Sequence, residues 1–530
     1  MKKTCNPLHP SVNKKNQLFR YSIIPLLSVA LILFQIGCNR QVREGSNYYL
    51  DATNGNDANS GLSPKKAWKN LEKLQEIQLK AGDSLLLLRG SVFTGILDIN
   101  AQGKSDARIV IDAYGQGKKP CVTAPDNSLF ALRVFNSDYV TVQNLEVINQ
   151  GSERMDNRVG VKIACENHGV SHNIILNALE IHDVNGGMLK NRGEGSGIMM
   201  EIKGDETVSR FDSLWVENCV IRRCERNAII WKVPSNRTGN WAPSTHVVFR
   251  KNLIEEVPGD GIVPIACESP LVEYNLMRNC PASMPDGQAA AGIWPWSCDN
   301  ALLQFNEVSD HKAPWDAQGF DSDFNSSNTI IQYNYSHDNE GGFVLICTPG
   351  NANPAQNIGN IGTIVQYNIS INDAIRTRTT RIGFFSPTIH IGGACRDTRI
   401  NNNILHVGIK PGADVDRKII TADSWNGFAD NTLIKDNIFY TPESSAFNLT
   451  QSTNNNFEGN YYLGTFKDKP IDKSGKTQSS VYQATIENDP TGFEALSFLF
   501  EKVAVGDGAA FVKAVNKKAI EEFFDKLSKE

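Results

Sequence analysis

Ten times along the chain an apolar run leads into an asparagine and a second apolar run: YVTVQNLEV (Asn144), IILNALEI (Asn177), LWVENCVI (Asn218), VVFRKNLI (Asn252), LVEYNLM (Asn275), LLQFNEV (Asn306), IIQYNYS (Asn334), IVQYNIS (Asn368), RINNNIL (Asn403) and LIKDNIF (Asn437). Successive asparagines lie 23 to 41 residues apart. A unit that short, rich in β-branched residues, cannot bury its own apolar face, so it reads as one coil of a stacked solenoid. Asparagine suits the bend between two strands, where it tolerates left-handed backbone and its amide can bond the next coil. These asparagines are therefore expected to be structural.

A second series falls between them: SGIMMEI, NAIIWKV, DGIVPIA, AGIWPWS, QGFDSDF, GGFVLIC and PTIHIGG, starting at residues 196, 227, 260, 291, 318, 341 and 387. Most place Gly before an apolar residue, as a bend entering a strand would. The two series together predict an all-β chain folded as a right-handed parallel β-helix. With 530 residues, an elongated repeat avoids the limit on one compact core.

Strand side chains alternate between faces, so the Gly position serves as a ruler. With Ile198, Ile229, Ile262, Ile293, Phe320, Phe343 and Ile389 inward, the first outward row is Met199, Ile230, Val263, Trp294, Asp321, Val344 and His390. The second is Glu201, Lys232, Ile265, Trp296, Asp323, Ile346 and Gly392. A slip of one residue would bury four charges. The ruler thus predicts that Asp321 and Asp323 face a groove beside Trp294 and Trp296, with Phe320 and Phe324 in the core. Coils repeat about every 4.8 Å, close to the length of a sugar unit, so an outward row can serve as a row of saccharide subsites.

The flanks read as caps and an address. Residues 48 to 90 give a strand, a polar turn, a short helix with Trp68, Leu71, Leu74 and Ile77 on one face, and another strand. A helix there would cover the open end of a solenoid. Residues 491 to 530 show helical periodicity and are expected to form a helical tail. At the start, Lys2, Lys3, Lys14, Lys15 and Arg20 precede an apolar run ending in Ile36-Gly37-Cys38. This resembles a bacterial lipoprotein signal over residues 1 to 37, with Cys38 lipidated and a linker to residue 47. An exported protein anchored at the bacterial outer membrane or cell surface is expected, monomeric, with the β-helix spanning 48 to 490. Losing those five cations takes the formal charge from −5 to about −10, which disfavours nucleic acid as a partner. The cysteines outside the leader lack metal-type spacing and read as core residues.

The cap segment YYLDATNGNDANSGLSPKKAWKNLEKLQEIQLKAGDSLLLLRG and the coil pattern are similar to secreted bacterial β-helix carbohydrate-active proteins, including the family 9 polysaccharide lyases that cleave pectate. That resemblance implies an aspartate-rich Ca²⁺ pocket paired with a lysine base. DAQGFDSDF and HDNEGGF match such a pocket in residue type and spacing, with Asp316, Asp321, Asp323, Asp338 and Glu340 as candidate ligands.

Three chemistries fit these residues. Elimination at a uronic acid needs the substrate carboxylate neutralised and a base for the C5 proton. Lys232 or His390 would supply the base, although Lys232 stands three coils from Asp323, roughly 14 Å away. Hydrolysis needs two carboxylates, and Asp321 and Asp323 stand about 6.6 Å apart along one strand face. A glycan-binding solenoid without catalysis would need only the tryptophans. The sequence reading favours a lyase acting on acidic poly- or oligosaccharides, with Asp321 and Asp323 as metal ligands or acid/base pair. Trp294, Trp296, Arg396, Glu201 and Asp260 are the expected substrate contacts.

Overall fold

The computed structural model describes residues 45–238, 241–410, 412, 415–449, 452–486, 492–506 and 510–530. The leader and Cys38 lie outside them. The described chain is a right-handed parallel β-helix. One face runs without a break from Asn47–Leu50 to Asn456–Glu458, every strand parallel to the next. A bend leads to a second face, represented by Glu307–Ser309, Tyr335–His337 and Ile369–Ile371. The third face carries Ser196–Lys203 and Asn227–Lys232, then single bridges at Ile262 and Ile293. It continues through four strands named here β1 (Gln318–Ser322), β2 (Gly342–Thr348), β3 (Ile389–Gly393) and β4 (Lys418–Asp423).

The asparagine series is a buried ladder at the first bend. Asn252, Asn275, Asn306, Asn334, Asn368, Asn403, Asn437 and Asn460 have no exposed surface. The Asn334 carboxamide oxygen accepts from the Asn306 backbone N–H at 2.9 Å and from Asn306 Nδ2 at 3.0 Å. Its own Nδ2 donates to the Leu303 carbonyl at 2.9 Å and to Asn368 Oδ1 at 3.0 Å. Each coil thereby satisfies the bend of its neighbour. The expectation that these asparagines take left-handed backbone is corrected from Asn252 onward. The residue before each one does so instead, as at Lys251, Tyr274, Phe305, Tyr333 and Tyr367, with φ between 53° and 57°. Asn144 and Asn218 are themselves left-handed, one place ahead of the ladder, which Leu145 and Cys219 occupy in those coils.

Both caps differ from expectation. The N-terminal segment forms two 3₁₀ turns, Pro64–Lys66 and Leu71–Glu76, because Trp68 between them pairs with Leu50 as strand. Trp68 and Leu71 are buried, while Leu74 and Ile77 are half-buried. At the other end the helical reading holds for Lys517–Leu527, capped by Asn516. The preceding stretch is an antiparallel hairpin, Phe500–Val505 with Ala510–Val515, because alternate residues such as Val512 and Ala514 are buried. The Tyr274, Phe305, Tyr333 and Tyr367 rings stack 5.0 to 5.4 Å apart; the hairpin packs against Tyr274 and Phe305, and the C-terminal helix sets Phe524 against Tyr367 and accepts the Tyr333 hydroxyl at Glu521.

Candidate active site

The outward rows of β1 to β4 form one wall of a pocket of about 430 Å³. Asp321, Leu345 and His390 are cross-strand neighbours in one row, and Asp323 heads a second in which Cys347, Gly392 and Asp423 follow in register. The ruler correctly aligns Trp294 with Asp321 but slips by one at GGFVLIC. There Phe320 pairs with Val344, so Leu345 and Cys347 face out, and Val344 and Ile346 are core. The cause is Gly341, which does not serve as the bend glycine. A Cβ on it would lie 1.7 Å from the Asp316 carbonyl, so glycine there lets the loop carrying Asp316 pass close over the strands. Gly392 leaves the pocket floor open, its nearest neighbours for an added Cβ being Cys347 and His390 at 3.4 to 3.7 Å.

The rest of the pocket comes from the stretches that enter the third face in two successive coils and from one loop. Residues 287 to 289 supply Gly287 and Ala289, their paired neighbours supply Trp315 and Asp316, and residues 376 to 386 supply Arg381 and Ile382. Arg381 lies 4.3 Å over the Trp315 ring, which stacks on Phe385, whose edge meets His390. Buried Arg376 ties these stretches together, donating to the Ala313 carbonyl at 2.9 Å and the Asp316 carbonyl at 2.7 Å. Arg226, also buried, donates to the Ala289 carbonyl. Ser424 and Trp425 close the far side.

Four carboxyls line this pocket; Asp423 pairs with His390, and the other three sit in unequal surroundings. Asp321 is 5% exposed and its Oδ1 has no partner. Burial, followed by the charges of Asp323, Asp316 and Asp260, holds its pKa well above the usual range. Asp323 and Asp316 keep accessible surface, and burial pushes each to about 6. The Asp323 carboxylate accepts from the Phe324 N–H at 2.7 Å and the Cys347 thiol at 3.2 Å, bonds that favour its anion. No donor reaches the Asp316 carboxyl among the described residues; Asp323's charge raises its pKa and His390 opposes the rise.

The other expected site residues divide. His390 lines the pocket, its ring nitrogen 3.0 Å from Asp423. Trp294 is 4% exposed and donates from Nε1 to fully buried Asp260 at 3.0 Å, so Asp260 orients that ring instead of touching a ligand. Trp296 and Lys232 line a different cavity, and Glu201 ion-pairs with Lys162 at 2.8 Å. Phe324 is not core but sits edge-on between Trp296 and Trp425. Arg396 is exposed, bridged to Ile361 and Asp430 on the neighbouring coils, and outside the pocket.

The five-residue calcium set is not assembled. Asp338 accepts from His337 at 2.7 Å in another cavity, under the C-terminal segment. Although burial pushes it up, its bonds to His337 and Asn372 hold it below the usual carboxylate range. Glu340 is bound by Arg378 at 2.9 Å and anchors the 376 to 386 loop. Among the described residues no group of three or more His, Cys, Asp or Glu side chains is placed to hold a metal ion. Of the unforeseen pocket residues, Leu345 and Cys347 are hidden by the slip at Gly341, while Asp423 and Trp425 lie one coil further, in KIITADSW, where the ruler places Asp423 outward.

Comparison with known proteins bears on the chemistry. A family model described as "Right handed beta helix region" matches residues 196–405, which include β1 to β3. A lacto-N-biosidase of Bifidobacterium longum subsp. longum is 27% identical over 88% of this chain, and the alignment spans 34% of that relative, so the chain corresponds to about a third of its length. The crystal structure of a GH136 lacto-N-biosidase from Eubacterium ramulus superposes with a TM-score of 0.59 at 25% identity, covering 81% of this chain and 67% of that one. Its selenomethionine form gives 0.57 at 24% over the same shares. These likenesses overturn the expected lyase acting at uronic acids: the relatives are glycoside hydrolases. The resemblance to pectate-type lyases extends to the β-helix and no further. Of the two expected bases, Lys232 lies outside the pocket and His390 lines it, while Arg396, the expected carboxylate contact, does not reach the aspartates.

Proposed function

We propose that the protein is a glycoside hydrolase of the lacto-N-biosidase type acting on oligosaccharides, with Asp316 as general acid and Asp323 as its partner carboxylate. The observation that carries this reading is the inequality of the three carboxyls. Asp323, whose anion is favoured by two donors, attacks or activates water at the anomeric carbon. Asp316, without a donor and facing that charge, retains a proton near the operating pH and delivers it to the departing oxygen. Asp321, buried beside Asp323, stays neutral and adds no second negative charge. Trp315 and Trp425 supply apolar faces for pyranose rings, and His390 with Asp423 offers polar contacts. The protein works outside the cytoplasm, held by a lipid on Cys38, a placement supported by the charged and apolar leader.

Incubation with an aryl lacto-N-bioside, followed by chromatography of the products, tests the activity. Release of the intact disaccharide with water added is expected. An unsaturated sugar product, or no turnover across a wider panel of neutral glycosides, would overturn the reading.

A further inference from the structure

Two residues singled out by the sequence, Lys232 and Trp296, find no role in the catalytic pocket. They meet instead in a second cavity of about 330 Å³, lined also by Lys190, Glu194, Ile265 and Asn157. It lies on the same outward row, since Lys232, Ile265 and Trp296 precede Asp323 by three, two and one coils. Lys190 links the two cavities: its ammonium is 5.2 Å from the Trp294 ring centre and its charge favours ionisation of Asp316, Asp321 and Asp323. The aromatic contacts from Trp296 through Phe324 to Trp425 also run from one cavity to the other.

Resting on the hydrolase reading, we propose that this second cavity is an additional saccharide subsite that receives the part of a longer glycan beyond the sugars in the catalytic pocket. Its lining is rich in donors. Trp296 Nε1 is buried without a partner, and Lys232 makes no ion pair among the described residues. Indole and ammonium groups only donate, so they call for a ligand with many acceptors. Sugar hydroxyl and ring oxygens provide these, and Glu194 can accept from a hydroxyl in return. The substrate therefore lies along the solenoid axis, with successive sugars on successive coils.

The test uses the Asp323→Asn protein, which holds glycans without cleaving them. Calorimetry compares a disaccharide with longer oligosaccharides extended at either end. Longer ligands bind more tightly, and adding Lys232→Ala or Trp296→Phe weakens their binding about tenfold while leaving disaccharide affinity within about twofold. Equal affinity for short and long ligands in the Asp323→Asn protein would overturn the proposal. So would an equal loss for both ligand lengths, or no loss, in the added variants. Turnover by the unsubstituted protein and its loss in Asp323→Asn are scored separately, so failure of the hydrolase reading is distinguishable from failure of the subsite.

Discussion

The chemistry assigned to this chain rests on how three nearby carboxyls differ. Asp323→Asn is expected to lower kcat/KM on an oligosaccharide by at least about 10²-fold, the lower end for loss of a positioned proton-transfer group, with the fold unchanged by circular dichroism. Cys347→Ala removes one of the two donors to Asp323, so the acid limb of the kcat/KM profile should move to higher pH; Cys347→Ser should restore it. The cluster also carries a stability signature. Asp316 and Asp323 titrate near 6 when folded and near 4 when unfolded. Between those values the folded state holds more protons than the unfolded one, so stability is fully present below about 4 and falls as pH rises toward 6. Asp321, displaced further in the same direction, extends the loss upward. Asp321→Asn should therefore raise the melting temperature at pH 7 and leave it nearly unchanged at pH 4, as read by calorimetry.

At the scale of strands and bends, the asparagine ladder and the alternating rows were legible because each is a local pattern repeated by the solenoid. Asp321 and Asp323 could be placed outward from Phe320 alone. The ruler failed at Gly341, whose reason for being glycine is the passage of the Asp316 loop, a tertiary contact with no local trace. Glu340 and Asp338 failed similarly: sequence spacing brought them within one coil of the aspartates, but Arg378 and His337 draw them elsewhere. The hairpin at Phe500–Val505 was hidden by apolar residues compatible with both periods. Asn334→Ala strips the acceptor of the Asn306 backbone N–H and Nδ2 and the donor to the Leu303 carbonyl, all buried, while Asn368 Oδ1 keeps the backbone N–H of residue 334. With about 1–3 kcal/mol for each unsatisfied group, a loss of roughly 2–5 kcal/mol is expected from the urea midpoint.

For the molecule as a whole, a stack of coils fixes the spacing of outward residues, and the stretches around 287 to 289 and 313 to 316 with the loop at 376 to 386, pinned by Arg226 and Arg376, turn one stretch of that surface into a pocket. The proposed hydrolytic chemistry rests on the division of roles between Asp316 and Asp323. That division is tested most directly by the dependence of the Asp316→Asn variant on the leaving group. An aryl glycoside whose phenolate leaves without a proton should be cleaved by this variant at a rate near that of the unsubstituted protein, while cleavage of the corresponding oligosaccharide falls by about 10²-fold or more. Asp323→Asn should lose both. Equal losses on the two substrates in Asp316→Asn, or full activity in Asp323→Asn, would contradict the assignment.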